Sequence, residues 1–342
     1  MGPPGLITLM KLLTGAALLL TFYPLRWALQ RLSWERALRV GTLLGSIHAR
    51  CGRDRLYRQI QEGIMAVWPD ELATRELAQL VQRNLVMRYK HLIDGFFYQT
   101  LDAALTARLV PTFDGGCHLD HALAQGKGAI LLPSHFGSLG MLLAGLAFRG
   151  YRLHQVFTLT PPPHYRTWGW MERAIIRAKL QCWPRDRLEL AFWQPGLYLR
   201  PLYRKLCEGA IVVLYGDGAR GQQFTRVTFL GHPLSLAVGP LRIAARAQVP
   251  LIPAFIIRQA DDRHRLILEP PIVLHDDTAS SLQRGAEQYA AHLSRYVRTY
   301  PDHWFTWARL RRCQGVDGAP LELVMPQPAQ TYFYMSATRH QL

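Results

Sequence analysis

Acidic residues are scarce in this chain. Its 342 residues hold 24 Asp and Glu against 40 Lys and Arg, a formal charge of +16. Arginine far outnumbers lysine. Such a balance favours an anionic partner: nucleic acid, a phospholipid surface or an acidic carrier protein. Nucleic acid has no further support, because the sequence carries no recognition motif and no Gly-rich phosphate loop ending in Lys-Ser/Thr. Cysteine is sparse as well. The five, at positions 51, 117, 182, 207 and 313, include no pair separated by two residues. That excludes a zinc ribbon and a thioredoxin-like pair, and an odd number in a long chain fits reduced thiols. Cys117, His118 and His121 have no fourth ligand nearby, so no metal is expected. Internal repeats and low-complexity tracts are absent.

Apolar residues are plentiful, at 49%, enough for one large domain or two ordinary ones. The segment Gly5 to Leu25 is apolar apart from Lys11 and a few threonines. As a helix it would extend about 30 Å, near the thickness of a bilayer core. Arg26, Arg31, Arg36 and Arg39 follow, which would place the rest of the chain on the cytoplasmic side. Residues 1–25 are therefore expected to form a membrane anchor, spanning or interfacial. A cleaved signal peptide is less consistent, since no small-residue cleavage site follows and the basic residues flank the wrong end. A buried core helix is the remaining alternative.

Residues 26–110 carry apolar positions at three- and four-residue spacing and are expected to be helical. From about 112 the texture changes. Short apolar runs such as "AILLPSH", "YRLHQVFTL", "AIVVLYGD", "VPLIPAFIIR" and "HRLILEPPIVL" alternate with helical patterns. This predicts an α/β fold, a mostly parallel or mixed central sheet flanked by helices, over 26–312. A Pro- and Gly-bearing tail, 313–342, is expected to be peripheral.

In an open α/β sheet, ligands bind beyond the carboxyl ends of the strands. Two predicted strands end in polar residues there, one in His135 and one in Asp217. A helix is expected to start just after His135, presenting its first amides. An imidazole beside a positive helix end suits a general base next to an oxyanion site. A histidine at a strand end also serves simply as a structural residue, and Asp217 also serves as a turn residue.

The stretch "SHFGSLG" resembles the first block of the late acyltransferases of bacterial lipid A biosynthesis, where a Ser-His-Phe-Gly run opens a His-x4-Asp/Glu motif. Further blocks follow in family order. "VFTLTPPPHYRTWGWMER" places Arg173 at an arginine position, and "LCEGAIVVLYGDGARG" places Asp217 at an aspartate position. "RVTFLGHPLSLAVGPLRIAARAQVPLIPAFIIR" and "PDHWFTWARLRR" resemble the last two. The resemblance spans roughly residues 5–312.

It implies transfer of a fatty acyl group from acyl carrier protein or coenzyme A, as cosubstrate, to a hydroxyl or amine. It implies no metal or resident cofactor, and a place on the inner membrane with the body facing the cytoplasm. His135 would be the general base. Gly137, Ser138, Gly140, Arg173, Arg220 and Arg226 are the expected substrate-binding residues, with anionic lipid as a partner. Arg309 stands where a histidine is common.

The family's acid is missing. Five residues after His135 stands Gly140, and Leu139 replaces a common tryptophan. His264 and Glu269 have the motif spacing, but residues five apart on a strand face opposite sides and do not pair. Three accounts of Gly140 stand at this point. Asp217 supplies the carboxylate, or His135 acts without an acid and Gly140 widens the pocket, or catalysis is lost and lipid binding kept.

Overall fold

The computed structural model describes residues 16, 19–51, 54–157, 188–192, 199–218, 223–313 and 322–325. The amino-terminal third is helical, as its periodicity predicts. Helices run over Trp34–Cys51, Arg55–Val67, Thr74–Phe97 and Ala103–Leu109. Their starts follow from local chemistry. The Asp54 carboxylate accepts from Tyr57 N at 2.9 Å and that of Asp102 from Leu105 N at 2.7 Å. Each satisfies an amide that the first helical turn leaves unpaired. The 34–51 and 74–97 helices approach closely because Gly45 faces the Val86 backbone, where a Cβ would sit 2.6 Å from Cα.

A seven-stranded sheet follows, in the order β1-β9-β8-β2-β5-β3-β4. Its strands are β1 (Thr112–Asp114), β2 (Ala129–Pro133), β3 (Leu153–Phe157), β4 (Leu188–Phe192), β5 (Ile211–Val213), β8 (Leu251–Arg258) and β9 (His264–Leu268). Five are mutually parallel, while β9 runs antiparallel to β8 and carries β1 parallel beside it. Every residue of β2, β5 and β8 is buried, which explains their continuous apolar runs.

Alternate side chains feed two cores. Ile130, Leu132, Val212 and Phe255 pack under the 55–67, Gly239–Ala247 and Ala279–Thr299 helices. Leu131, Val213, Ile252 and Ile256 pack under the 34–51, 74–97 and Leu139–Ala147 helices.

A second sheet, in the order β10-β11-β7-β6, was not foreseen in the sequence. β6 (Phe224–Phe229) and β7 (His232–Ala237) form a hairpin whose two loop residues, Leu230 and Gly231, both have positive φ. That is the loop geometry which suits strand twist. β11 (Glu322–Val324) joins β7 and β10 (Arg311–Cys313). The expectation of a peripheral tail therefore fails at 322–325: Leu323 and Met325 are buried in the first core. The proline and glycine signal of 313–342 masked one short apolar strand.

Most of the expected 1–25 anchor lies outside the described residues, as does "RTWGWMERAIIRAKL", a helical pattern in the sequence between β3 and β4. No helix of the described residues is long and apolar enough to cross a membrane. Thr21–Leu25 forms one π-helical turn. Phe22 packs edge-on against Phe96 at 5.8 Å, while Leu20, Tyr23 and Trp27 are exposed.

Candidate active site

β2 and β5 are parallel neighbours, with Leu131 level with Val213. Continuing that offset of 82 residues brings His135 level with Asp217. Both leave the sheet at its carboxyl edge, the side on which open α/β sheets bind their ligands. His135 Nδ1 and Asp217 Oδ1 lie 2.8 Å apart. The imidazole is 31% exposed and the carboxylate is fully enclosed.

Asp217 is heavily solvated by protein. The His135 backbone amide donates to both carboxylate oxygens at 2.9 Å, and Oδ2 also accepts from Trp304 Nε1 and Thr306 Oγ1, each at 2.9 Å. Burial alone would push this carboxyl up. Attraction to His135 and hydrogen bonds from His135 and Trp304 outweigh it and hold Asp217 below the ordinary carboxylate value. An ionised Asp217 accepts the Nδ1 proton, so Nε2 carries the lone pair. Tyr215 stacks beneath the imidazole, with centroids 4.6 Å apart and planes at 21°, and its hydroxyl accepts from Gln155 Nε2 at 2.9 Å.

The turn after His135 is held from two sides. Phe305 N donates to His135 O at 2.7 Å, and Gly137 N donates to His303 O at 2.8 Å. Gly137 has φ +62, and a Cβ there would lie 2.1 Å from Ile256 O. Only glycine fits both the dihedral and the approach to β8. Behind the turn lies a second buried carboxylate. Asp94 accepts from Ser138 Oγ at 2.5 Å, from Trp34 Nε1 at 3.2 Å and from Arg258 Nη2. Burial pushes Asp94 up, and the Arg258 charge only partly offsets it.

These contacts revise several expected substrate contacts. Ser138 is 1% exposed and committed to Asp94. The Gly137 amide is spent on His303, and the first turn of the 139–147 helix, Leu139 to Met141, is buried rather than presented. Gly140 does not widen a pocket: a Cβ there would fall 2.0 Å from the ring and hydroxyl of Tyr98. Tyr98 fills the space beside the motif position, so an aspartate or glutamate at 140 has no room. Arg226 is exposed on β6. Arg173 and Arg220 lie outside the described residues. His264 and Glu269 stay apart, as strand geometry requires. His264 Nε2 is 3.8 Å from Asp94 Oδ2, and Glu269 accepts from Arg295 and Tyr296, each at 2.5 Å.

Trp304, Thr306, Tyr215, Asp94 and Tyr98 were not singled out in the sequence as site residues. The "YGD" and "HWFTW" stretches held a signal for three of them, since both blocks converge on the sheet edge. Nothing local marks Asp94 or Tyr98, which arrive from a helix some 40 residues upstream of His135. Among the described residues no group of His, Cys, Asp or Glu is arranged to hold a metal.

No curated protein matches the chain. The family described as bacterial lipid A biosynthesis acyltransferase matches residues 25–311. That span takes in the helical layer, the whole seven-stranded sheet, both halves of the His135–Asp217 pair and the loop that clamps them, and on this ground the chain belongs to the bacterial lipid A biosynthesis acyltransferase family.

Proposed function

We propose that the chain moves a fatty acyl group from a thioester, acyl carrier protein or acyl-CoA, to a hydroxyl or amine of a lipid-like acceptor, with His135 as general base. The observation that carries this reading is the 2.8 Å contact of a part-exposed imidazole with an enclosed, ionised carboxylate. Nε2 takes the proton of the acceptor O–H or N–H as that atom attacks the thioester carbonyl. The resulting imidazolium is stabilised by Asp217. As the tetrahedral intermediate collapses, the C–S bond breaks and the imidazolium returns the proton to the departing thiolate. Asp217 acts through His135 and is a positioning residue. The reading that catalysis is lost drew its motive from Gly140, and the Asp217 carboxylate beside His135 supports the catalytic reading instead.

The basic balance suits an acidic carrier and an anionic membrane surface. We place the protein at the inner membrane with this body facing the cytoplasm. Purified full-length chain, given labelled acyl carrier protein or acyl-CoA and a lipid acceptor extract, should transfer label. His135→Ala should reduce transfer by about 10³-fold or more while the circular dichroism spectrum is kept. Undiminished transfer by His135→Ala would refute the assigned base.

A further inference from the structure

Only one oxygen of the Asp217 carboxylate serves the His135 ring. Oδ1 meets Nδ1 at 2.8 Å, while Oδ2 accepts from Trp304 Nε1 and Thr306 Oγ1, each at 2.9 Å. The His135 backbone amide reaches both oxygens. A free carboxylate turns easily about its Cβ–Cγ bond, a broad torsion. Here two side-chain donors on Oδ2 fix that torsion and leave Oδ1 aimed at the ring. Trp304 is wholly buried and Thr306 is 3% exposed, so water does not compete for either donor.

The same segment grips the other half of the pair. Trp304 forms an antiparallel bridge with Phe136, Phe305 N donates to His135 O at 2.7 Å, and Gly137 N donates to His303 O at 2.8 Å. Residues 303–306 thus hold the backbone of one partner and the carboxylate of the other. They are pinned from behind in turn. Asn84, fully buried on the 74–97 helix, donates through Nδ2 to Asp302 O at 2.8 Å and to Trp304 O at 3.0 Å. Arg88, one turn along, donates to Phe305 O. On β8, Arg258 N donates to His303 Nε2 at 3.1 Å, which leaves the His303 proton on Nδ1 for Asp302 Oδ1 at 3.0 Å. Donors fixed this way before a ligand arrives need no reorganisation during the reaction.

We infer that Trp304 and Thr306 are positioning residues for acyl transfer, which lock the Asp217 carboxylate so that Oδ1 holds the Nδ1 proton and Nε2 stays turned to the acceptor. Their effect on turnover rests on the acyl-transfer reading above; the lock itself does not. Both donors favour the charged carboxylate. Removing either one raises the proton affinity of the His135–Asp217 pair, whichever group takes the proton. The acidic limb of the activity profile then moves to higher pH. Around the pair stand Tyr215 stacked on His135, Tyr289 against Gly216, and His91 behind the turn. Burial, helped by the Asp217 charge, lifts both phenols, and burial lowers His91 to about 4, so all three are uncharged at neutral pH. Burial would raise Asp302, but its hydrogen bond with His303 outweighs that and keeps it ionised.

Full-length chain in neutral detergent serves for two measurements on the wild type, Thr306→Val, Thr306→Ser and Trp304→Phe. One is acyl transfer as a function of pH. The other is a nitrogen NMR titration of the His135 ring, assigned by the signal that His135→Gln removes. Thr306→Val and Trp304→Phe should each lower kcat with KM unchanged. Each should raise the acidic limb and the NMR midpoint by about one pH unit, the scale of one hydrogen bond to a charged group. Thr306→Ser keeps the donor and should bring the midpoint back toward that of the wild type. A merely structural role would lower thermal stability and leave the midpoint in place. Midpoints unmoved in the donor-free variants overturn the inference, and so does a Thr306→Ser midpoint displaced as far as that of Thr306→Val. Trp304→Phe removes the other donor on the same oxygen and keeps the test valid should Thr306→Val fail to fold. If the midpoints move as expected but the wild type transfers no acyl group, the acyltransferase reading falls and the lock stands.

Discussion

Asp217 and Asp94 are both fully enclosed, one bonded to His135 and the other to Ser138 three residues on, and yet opposite in character. Asp217 collects donors: a histidine ring, a backbone amide shared by both oxygens, an indole and a hydroxyl. Its charge is held below the ordinary value in spite of burial. Asp94 has a guanidinium, an indole and a hydroxyl, and burial wins. Enclosure alone does not decide which way a carboxyl shifts. The number of donors aimed at its charged form does. Asp217 faces a ring that solvent reaches, whereas Asp94 ties together elements that solvent never meets.

That contrast separates two kinds of damage. Asp217→Asn should cost mostly turnover. The amide favours the wrong imidazole tautomer, and acyl transfer should fall by roughly 10³–10⁴-fold, measured as kcat on protein whose thermal transition is still cooperative. A drop under tenfold would erase the distinction. Asp94→Ala should cost mostly stability, about 3–5 kcal/mol, because the buried Arg258 loses its closest carboxylate and keeps only Asp262, at 3.6 Å. Replacing both partners, Asp94→Leu with Arg258→Met, should recover most of that loss in urea unfolding. If the double variant were no more stable than Asp94→Ala, the ion pair would be more than a compensated burial.

Two smaller effects sharpen the picture of the turn between them. Gly140→Ala drives a Cβ into Tyr98 and should destabilise by about 1–3 kcal/mol. Adding Tyr98→Val should restore part of it, and no restoration would mean that Tyr98 is not the obstacle. His91, packed beside Ser138 and Phe305, titrates near 4 instead of 6.5, chiefly because burial disfavours its charge, with Arg258, Arg88 and His135 adding repulsion. The unfolded chain then binds more protons between those values. Stability should therefore fall as pH drops from about 6.5 to about 4, by up to about 1.4 kcal/mol per pH unit. His91→Gln should flatten that slope.

The legibility of these regions in the sequence differs. His135 and Asp217 stood out because each ends a buried apolar run, and a strand's carboxyl end is where an α/β sheet keeps its ligands. Their pairing was one of three open accounts, because strand order is set by long-range packing and not by local pattern. Ser138 was misjudged for a related reason. Its place after a strand suggests an open loop, but the 74–97 helix closes over it with Asp94. The second sheet escaped notice because, although "RVTFLG" reads as a short strand, β7 and β11 do not stand out, and the sheet's burial depends on the 279–299 helix and Trp304.

Local pattern by itself determined the helical first third, the apolar strands, the two polar strand ends and the family resemblance. Those features depend on neighbours a few residues apart, through periodicity, capping and turn chemistry. Tertiary structure alone decided that β2 and β5 are adjacent and level, that Tyr98 occupies the space at Gly140, and that two buried aspartates shift in opposite directions from the ordinary carboxylate value. Each of these depends on groups far apart in sequence, and the balance of desolvation against donors exists only once the chain has closed around them.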